Sequence, residues 1–285
     1  MTAETPTTAA AILRAPGAAR RLGGIPVMER KERRFYGYAG LVLAAAFVGA
    51  TALIGFNPFE TLLRSVPMLE FITTEFLPPT INRPGAVARA VFTTVALAIT
   101  SASVAGVLAF LAALLGSAKV SPVPWLAAVI RGIATFMRNI PDLVWAFILF
   151  VALGIGTGTG FAALVITTFA FLTRAFIETI DEVSTDSTEG LLVVGAGFWQ
   201  RVVQSIWPSC IKDFISWFLY SVEVNIRSAT IVGMVGGGGI GLVLFSSLRR
   251  FRYAEAAGII LVLAALVVLV DLLTTFLRKK VLDHG

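Results

Sequence analysis

The sequence predicts an all-α polytopic membrane protein, a helical bundle with about six transmembrane helices, on three observations. Of its 285 residues, 57% are hydrophobic and 14% are charged, whereas soluble domains carry about 45–50% apolar and about 25% charged residues. Apolar runs of about 20 residues, long enough to cross a bilayer core, recur along the chain. Positive charge is concentrated at residues 14–34 and 278–280, which predicts cytoplasmic termini and an even number of spans.

The composition also excludes several other classes of protein. A single cysteine, Cys210, excludes a disulfide scaffold. Because His284 is the only histidine, no Cys/His metal centre is expected. The net charge of +6 does not form the continuous basic face that nucleic-acid binding requires, so no nucleic acid is expected as a partner. We expect Cys210 to be a small buried residue and His284 to be a solvated tail residue.

The N-terminal part is predicted to contain a tail, a span and a surface helix. The first apolar run, Tyr36–Phe56, ends at Asn57-Pro58. Residues 57–85 alternate apolar and charged side chains at helical spacing up to Pro78-Pro79, which predicts an amphipathic helix on the outer surface. The predicted division of the chain is a mostly disordered cytoplasmic tail (1–34), the first transmembrane helix plus the outer amphipathic helix (35–85), and the main transmembrane domain (86–280).

Three further spans are predicted before the longest polar break. The second, Ala86–Leu115, is rich in small residues that allow close helix packing. The third, Trp125–Gly154, is expected to kink at Asn139-Ile140-Pro141, because proline interrupts helical hydrogen bonding. A glycine-rich outer turn over residues 154–160 then leads into the fourth span, Phe161–Ile180.

The polar break, residues 181–208, is expected in the cytoplasm from the alternation of spans. It begins with acidic and hydroxyl residues and continues as two predicted short amphipathic helices, with a turn at Gly195–Gly197 and an end at Pro208. Two short helices with apolar faces could dock in a groove on a soluble partner. An ordinary interfacial loop is the alternative, and spacing alone does not decide between them.

The last two spans are predicted at Ile211–Val235 and Ala254–Leu277. The loop between them carries arginines at 249, 250 and 252, and alternation places it outside, against the positive-inside tendency. The glycines before it match Gly-x-Gly-x-x-Gly, but the strand and helix of a dinucleotide site are not predicted there. We interpret them as a site of close helix packing or a gate or hinge at the outer mouth, at Gly236, Gly238, Gly239 and Gly241.

Charged residues within predicted spans are the candidates for a translocation path. Glu223 and Arg227 are four residues apart on one helix and can pair, whereas Asn225 lies between them on another face. Such charges face the bundle interior or a water-filled path, so a structural ion pair and a path-lining role both remain open. Arg227 and Arg138 could each attract an oxyanion, since arginine makes forked contacts with phosphate or phosphonate groups.

Two sequence blocks resemble the permeases of phosphonate ATP-binding cassette (ABC) importers. Residues 138–146 read Arg-Asn-Ile-Pro-Asp-Leu-Val-Trp-Ala, similar to the family's Arg-x-x-Pro-Glu-Leu-Val-Trp-Ala with Asp142 in place of Glu. Residues 223–241 resemble the family's Glu-x-Asn-x-Arg-x-Ala-Thr stretch and the Val-Gly-Ala-Gly-Gly-Ile-Gly that follows, with Gly237 in place of Ala. The resemblance covers roughly residues 86–280.

A third motif resembles the segment through which ABC importer permeases contact their ATPase. Glu189, Gly195 and Pro208 keep the frame of that coupling motif. Gly190 and Leu191 stand where the family has two alanines, and Trp207 replaces the leucine before the proline. The resemblance implies coupling helices at 183–205.

The resemblance implies a type I ABC importer permease fold and a transport subunit that is not itself an enzyme. The implied partners are a second copy of the permease, a cytoplasmic ABC ATPase dimer, an extracytoplasmic substrate-binding protein and membrane lipid. The chain has no Gly-x-x-x-x-Gly-Lys-Ser/Thr motif, so no cofactor is expected in it, and ATP and Mg²⁺ are expected on the ATPase. The implied location is the bacterial inner membrane.

The implied substrate is phosphonate or a related phosphorus oxyanion, phosphate or phosphite. An ABC importer permease for another small solute is the alternative within the same class. An ion-coupled secondary transporter would show inverted internal repeats, and the sequence shows no such repeats. A structural membrane scaffold is the least favoured reading, because it does not require charges at membrane depth.

Overall fold

The computed structural model describes residues 30–183 and 185–283, and helices but no strands occur among them. The all-α prediction is confirmed. Residues 1–29 of the predicted tail and His284 lie outside the described residues. The chain divides into two compact units between Glu70 and Phe71.

The first unit contains the first apolar helix, α1 (Arg30–Leu53). It begins before the predicted tail boundary at residue 34, because arginine, lysine and glutamate are good helix formers and extend the helix beyond its apolar part. From Arg34 to Leu53 no residue of α1 is buried, although this stretch is long and apolar enough to span a membrane.

The predicted amphipathic helix over residues 57–85 is broken into shorter pieces. α2 (Pro58–Leu63) begins after Asn57, whose side-chain oxygen accepts hydrogen bonds from the amides of Phe59 and Glu60. α3 (Ser65–Phe71) follows and leads into a π-helical turn at Ile72–Phe76. The break comes before Pro67, which has no amide hydrogen to donate to α2 but is tolerated in the first turn of α3.

The second unit begins at Phe71, earlier than the boundary at residue 86 that the sequence predicts. The rings of Phe71 and Phe76 lie 5.1 and 5.3 Å from the ring of Tyr253. The amide of Thr80 donates to the carbonyl of Ala254 over 2.9 Å. Residues 71–83 are therefore packed against the start of the last helix. This contact could not be predicted from the sequence, because the two segments are far apart along the chain.

Four helices build the next part of this unit: α4 (Pro84–Gly116), α5 (Pro124–Arg138), α6 (Asp142–Leu153) and α7 (Thr157–Val183). The predicted kink in the third span is a bend of 92° between α5 and α6. Pro141 produces it, because proline lacks the amide donor and biases the preceding residue towards extended backbone. The predicted outer turn is shorter than expected, since α7 begins at Thr157.

Two short helices follow, α8 (Thr185–Val193) and α9 (Phe198–Arg201). A π-helical turn at Val202–Ile206 connects α9 to α10 (Trp207–Val232), so the helical chain continues through Pro208. The prediction that Pro208 ends the second short helix is wrong. The π turn widens the backbone immediately before the proline ring, where an ordinary α-helix would clash with it.

A π-helical turn at Gly233–Gly237 ends α10, and α11 (Gly239–Arg249) and α12 (Tyr253–Asp283) complete the fold. Within residues 30–183 and 185–283, four helices are long and apolar enough to cross a membrane. The total is six if α5–α6 and the bent pair of α9–α10 with α11 each count as one span. This agrees with the predicted number of about six.

The centre of the second unit is formed by α4, α7 and α10. α4 packs most extensively on α7, and α10 packs against both. Small side chains form one fully buried stripe along α4, which allows the close approach of its neighbours: Ala98, Ala102, Ala105, Ala109 and Ala113. Cys210 is buried in the same core, as predicted.

Candidate functional site

A buried asparagine joins the three central helices. Asn225 on α10 donates from its side-chain amide to the hydroxyl of Ser101 on α4 over 3.1 Å. Its side-chain oxygen accepts from the hydroxyl of Thr168 on α7 over 2.8 Å. Because the hydrocarbon region has no water to pair with a polar group, these bonds fix how the three helices sit together.

A small cavity of about 120 Å³ adjoins Asn225. Its lining combines polar and aromatic side chains: Asp142, Thr167, Thr168, Phe171, Tyr220, Ser221, Val224 and Asn225. The carboxylate of Asp142 accepts a hydrogen bond from the hydroxyl of Ser228 on α10. Asp142 also opens the first turn of α6, where a negative charge is favourable.

The Asp142–Ser228 contact was not predicted as part of the site. The signal for Asp142 was present, because a carboxylate within an apolar segment is rare and usually functional. Ser228 carried no such signal, since small hydroxyl residues are common in membrane helices.

Glu223 takes part in two ion pairs. One carboxylate oxygen contacts Arg227, as the four-residue spacing predicts, and the other lies 3.4 Å from Nη2 of Arg278 on α12. The sequence places Arg278 only in the basic cluster after the last span. Its role at Glu223 has no sequence signal, because the two residues are 55 positions apart.

The predicted path residues do not form one cluster. Asn225 is buried among α4, α7 and α10, whereas Arg227, on another face of α10, is half exposed. Arg138 is exposed in the last turn of α5 and has no hydrogen bond or ion pair among the described residues. The structure therefore pairs Glu223 with Arg227, separates Asn225 from both, and leaves Arg138 apart from that pair.

The predicted gate or hinge is a close-packed turn. Gly238 has a φ of +85°, and a Cβ added there would lie 2.4 Å from Cγ2 of Thr157. A Cβ on Gly241 would lie 1.9 Å from the carbonyl oxygen of Thr230. The hydroxyl of Thr94 on α4 accepts from the amide of Ile240 over 2.8 Å. Gly236 and Gly239 lie in the same turn, so the glycines allow backbone segments to touch directly.

The predicted coupling segment has a sharp turn and an uncovered apolar surface. Gly195 lies between α8 and α9 with a φ of +80°. The side chain of Glu189 lies outside the described residues, while Thr188 and Ser205 share a buried hydrogen bond of 2.9 Å that ties α8 to the base of α10. Large apolar side chains around the turn are exposed: Leu192, Val193, Val194, Trp199 and Val203. We call these five residues the apolar elbow.

Asp181 fixes the neighbouring loop to the same end of the bundle. Its carboxylate accepts from the hydroxyl of Ser117 and from the amide of Lys119, the latter over 3.4 Å. This connects the end of α4 to the end of α7, immediately before the coupling segment. The sequence shows Asp181 only as one acidic residue of a polar stretch.

Comparison with known families identifies a transport component. The family model described as a binding-protein-dependent transport system inner membrane component matches residues 105–283. A phosphite transport system permease protein of Stutzerimonas stutzeri is 31% identical over 240 residues, covering 84% of this chain and 86% of that protein. A phosphate-import permease protein of Mycolicibacterium smegmatis is 29% identical over 256 residues, and this chain spans 47% of its length.

Solved structures support the fold. A methionine ABC transporter in an inward-facing conformation matches with a TM-score of 0.62 at 18% identity, covering 69% of this chain and 96% of that one. A bacterial ABC transporter involved in the import of alginate matches with a TM-score of 0.58 at 15% identity, covering 87% of this chain and 99% of that one. Both share the helical architecture with this chain.

The Asn225 contacts lead to a stability prediction. Asn225→Leu leaves the hydroxyls of Ser101 and Thr168 without their partner and should lower stability by about 1–2 kcal/mol, the sum of two bonds of about 0.6 kcal/mol or more. Adding Ser101→Ala and Thr168→Val removes the unpaired groups and should recover most of the loss. The measurement is the thermal unfolding midpoint in detergent; a triple variant no more stable than the single one would contradict the prediction.

Proposed function

The chain belongs to the family of binding-protein-dependent transport system inner membrane components, and from this membership we propose that it forms the translocation path of an ATP-driven importer for phosphonate, phosphate or phosphite. The phosphite permease that this chain matches over most of both lengths is the observation that carries the substrate class. Arg227 and Arg278, which both pair with Glu223, support this substrate class because they add positive charge to a spanning bundle. The fold does not identify the transported solute, since related structures include transporters named for methionine and alginate.

The subunit works with other polypeptides in this proposal. Two copies line a central path, a cytoplasmic ATPase dimer binds ATP and Mg²⁺, and an external binding protein delivers the substrate. The apolar elbow is suited to the ATPase contact, because its five large apolar side chains are uncovered by this chain. Lipid surrounds the outer helices.

Coupling follows from the continuity of one helix. The π turn joins α9 directly to α10, so a displacement of the elbow passes into the helix that carries Glu223, Asn225 and Arg227 without an intervening loop. The Thr188–Ser205 hydrogen bond ties α8 to the same base. ATP binding would close the ATPase dimer, move the elbow and switch access to the path from one side of the membrane to the other.

The proposed topology places both termini in the cytoplasm. Six spans then put residues 181–208 inside and the arginine loop 249–252 outside. Two of the three arginines have local partners that offset their charge or cover them: Arg252 lies 3.4 Å from Glu255, and Arg249 lies 5.7 Å from the ring centre of Phe245. This reduces the conflict with the positive-inside tendency.

Uptake measurements test the substrate class. The chain is co-produced with the ATPase and binding protein that the proposal assigns to it, in cells that lack other phosphate and phosphonate importers. We expect ATP-dependent uptake of radiolabelled phosphate, phosphite or methylphosphonate, and no uptake of methionine. Uptake of methionine by a complex that ignores all three phosphorus oxyanions would overturn the proposal.

A pair of glycine variants tests coupling. Gly195→Ala forces a Cβ into a left-handed backbone and should lower the coupled uptake rate at least tenfold, while Gly190→Ala should leave it within twofold of the wild type. Neither new Cβ has another atom within 4 Å, so the two sites differ in backbone conformation rather than in space. Insertion in the membrane is checked by the amount of folded protein. Equal uptake by both variants would contradict a coupling role for the turn.

Cysteine labelling tests the topology. In a Cys210→Ala background produced without the ATPase, so that no partner covers the apolar elbow, a membrane-impermeant thiol reagent on intact cells should label Arg250→Cys and spare Val194→Cys. Both positions are exposed, and the proposed topology puts them on opposite sides of the membrane. After the cells are opened, both should label. Labelling of position 194 and not of 250 in intact cells would invert the topology.

A further inference from the structure

We propose that Arg227 and Arg278, held by the single carboxylate of Glu223, form an oxyanion-binding site in the translocation path. This inference rests on the proposed function and assigns it a place in the chain. Its ligand class is a tetrahedral phosphorus oxyanion, with phosphate and methylphosphonate as accessible examples. Arg278 is the new element, because the sequence placed it only in a cytoplasmic basic cluster.

One carboxylate serves two guanidinium groups. Arg227 contacts one oxygen of Glu223, and Nη2 of Arg278 lies 3.4 Å from the other. The three side chains therefore carry a net charge of about +1 when all are ionised. An uncompensated charge in a spanning bundle is costly, and an anion passing along the path would offset it.

The two guanidinium groups keep donors for a ligand. The side chain of Glu223 is 11% exposed, whereas those of Arg227 and Arg278 are 51% and 31% exposed. The carboxylate is thus covered while both arginines remain open. Each arginine has five N–H donors, and the contacts with Glu223 occupy only some of them. Both guanidinium groups therefore keep N–H donors that the described residues leave unused.

Arginine chemistry selects the ligand class. The planar guanidinium group binds two oxygens of a phosphate or phosphonate at once, and two such groups can approach different faces of a tetrahedral anion. Glu223 competes with the anion for the same donors. That competition keeps binding weak, as a transport path requires, because a ligand that is held tightly is not released.

The site is built across two helices whose relation can change. Glu223 and Arg227 lie on α10, the helix that continues from the coupling segment, and Arg278 lies near the end of α12. A shift of α10 along α12 alters the spacing of the two guanidinium groups. The site would therefore bind the anion in one state of the transport cycle and release it in another.

A balanced ion pair elsewhere provides the comparison. Arg174 and Glu178 on α7 are also four residues apart and lie 2.9 Å from each other, with one arginine for one carboxylate. Removal of Arg174 should affect only that local pair. Arg174→Gln is accordingly the matched control for Arg278→Gln.

The experiment uses the complete transporter, with its ATPase and binding protein, in proteoliposomes. We expect Arg278→Gln to lower the phosphate and methylphosphonate uptake rate at least tenfold, Arg278→Lys to lower it less, and Arg174→Gln to stay within twofold of the wild type. Glu223 remains paired with Arg227 in the Arg278 variants, so assembly should be kept. Wild-type rates in Arg278→Gln would overturn the inference. No uptake of a phosphorus oxyanion by the assembled wild type would instead overturn the proposed function.

A second measurement separates binding from a structural role. Phosphate should raise the thermal unfolding midpoint of the permease–ATPase complex above that in chloride of equal ionic strength, and Arg278→Gln should abolish this difference. Glu223→Gln removes the competing carboxylate, so it should slow uptake while increasing protection by phosphate. A purely structural ion cluster predicts that Glu223→Gln gives no gain in protection, and that result would overturn the inference.

Discussion

The hydrogen bonds of Asn225 are the constraint on which the rest of the helical arrangement depends. Polar groups in the hydrocarbon region must find partners within the protein, and Asn225 finds them on α4 and α7. The alanine stripe of α4 brings the backbones close enough for these bonds. With α10 fixed in rotation by Asn225, its other face presents Glu223 and Arg227 away from the core.

The same helix separates two kinds of polar chemistry. On the side towards α4 and α7, neutral polar groups hydrogen-bond to other neutral polar groups. A low-dielectric interior tolerates this arrangement well. On the side towards α12, ionised groups pair with one another, with the carboxylate of Glu223 mostly covered and the two arginines partly exposed. The separation follows from the 100° or so between successive residues of a helix, since Asn225 lies two positions from each of the charged residues.

Much of this could be predicted from sequence where the signal is local and strongly periodic. Long apolar runs located the spanning helices, and the four-residue spacing predicted the Glu223–Arg227 pair. The contacts of Arg278 and of Asp142 could not be predicted, because they join residues 55 and 86 positions apart through packing alone. The helix end predicted at Pro208 was wrong. Proline usually ends a helix, but the π turn before it lets the helix continue. The broken outer helix and the boundary at Phe71 likewise depended on partners distant in sequence.

The apolar elbow has a consequence for how the protein is made. Leu192, Val193, Val194, Trp199 and Val203 are uncovered in the isolated chain, and exposed apolar side chains of this kind attract chaperones and proteases. Under the proposed ATPase contact, a subunit synthesised in excess of that partner would leave this surface uncovered. Turnover of the surplus would then match the number of permeases in the membrane to the supply of the proposed partner.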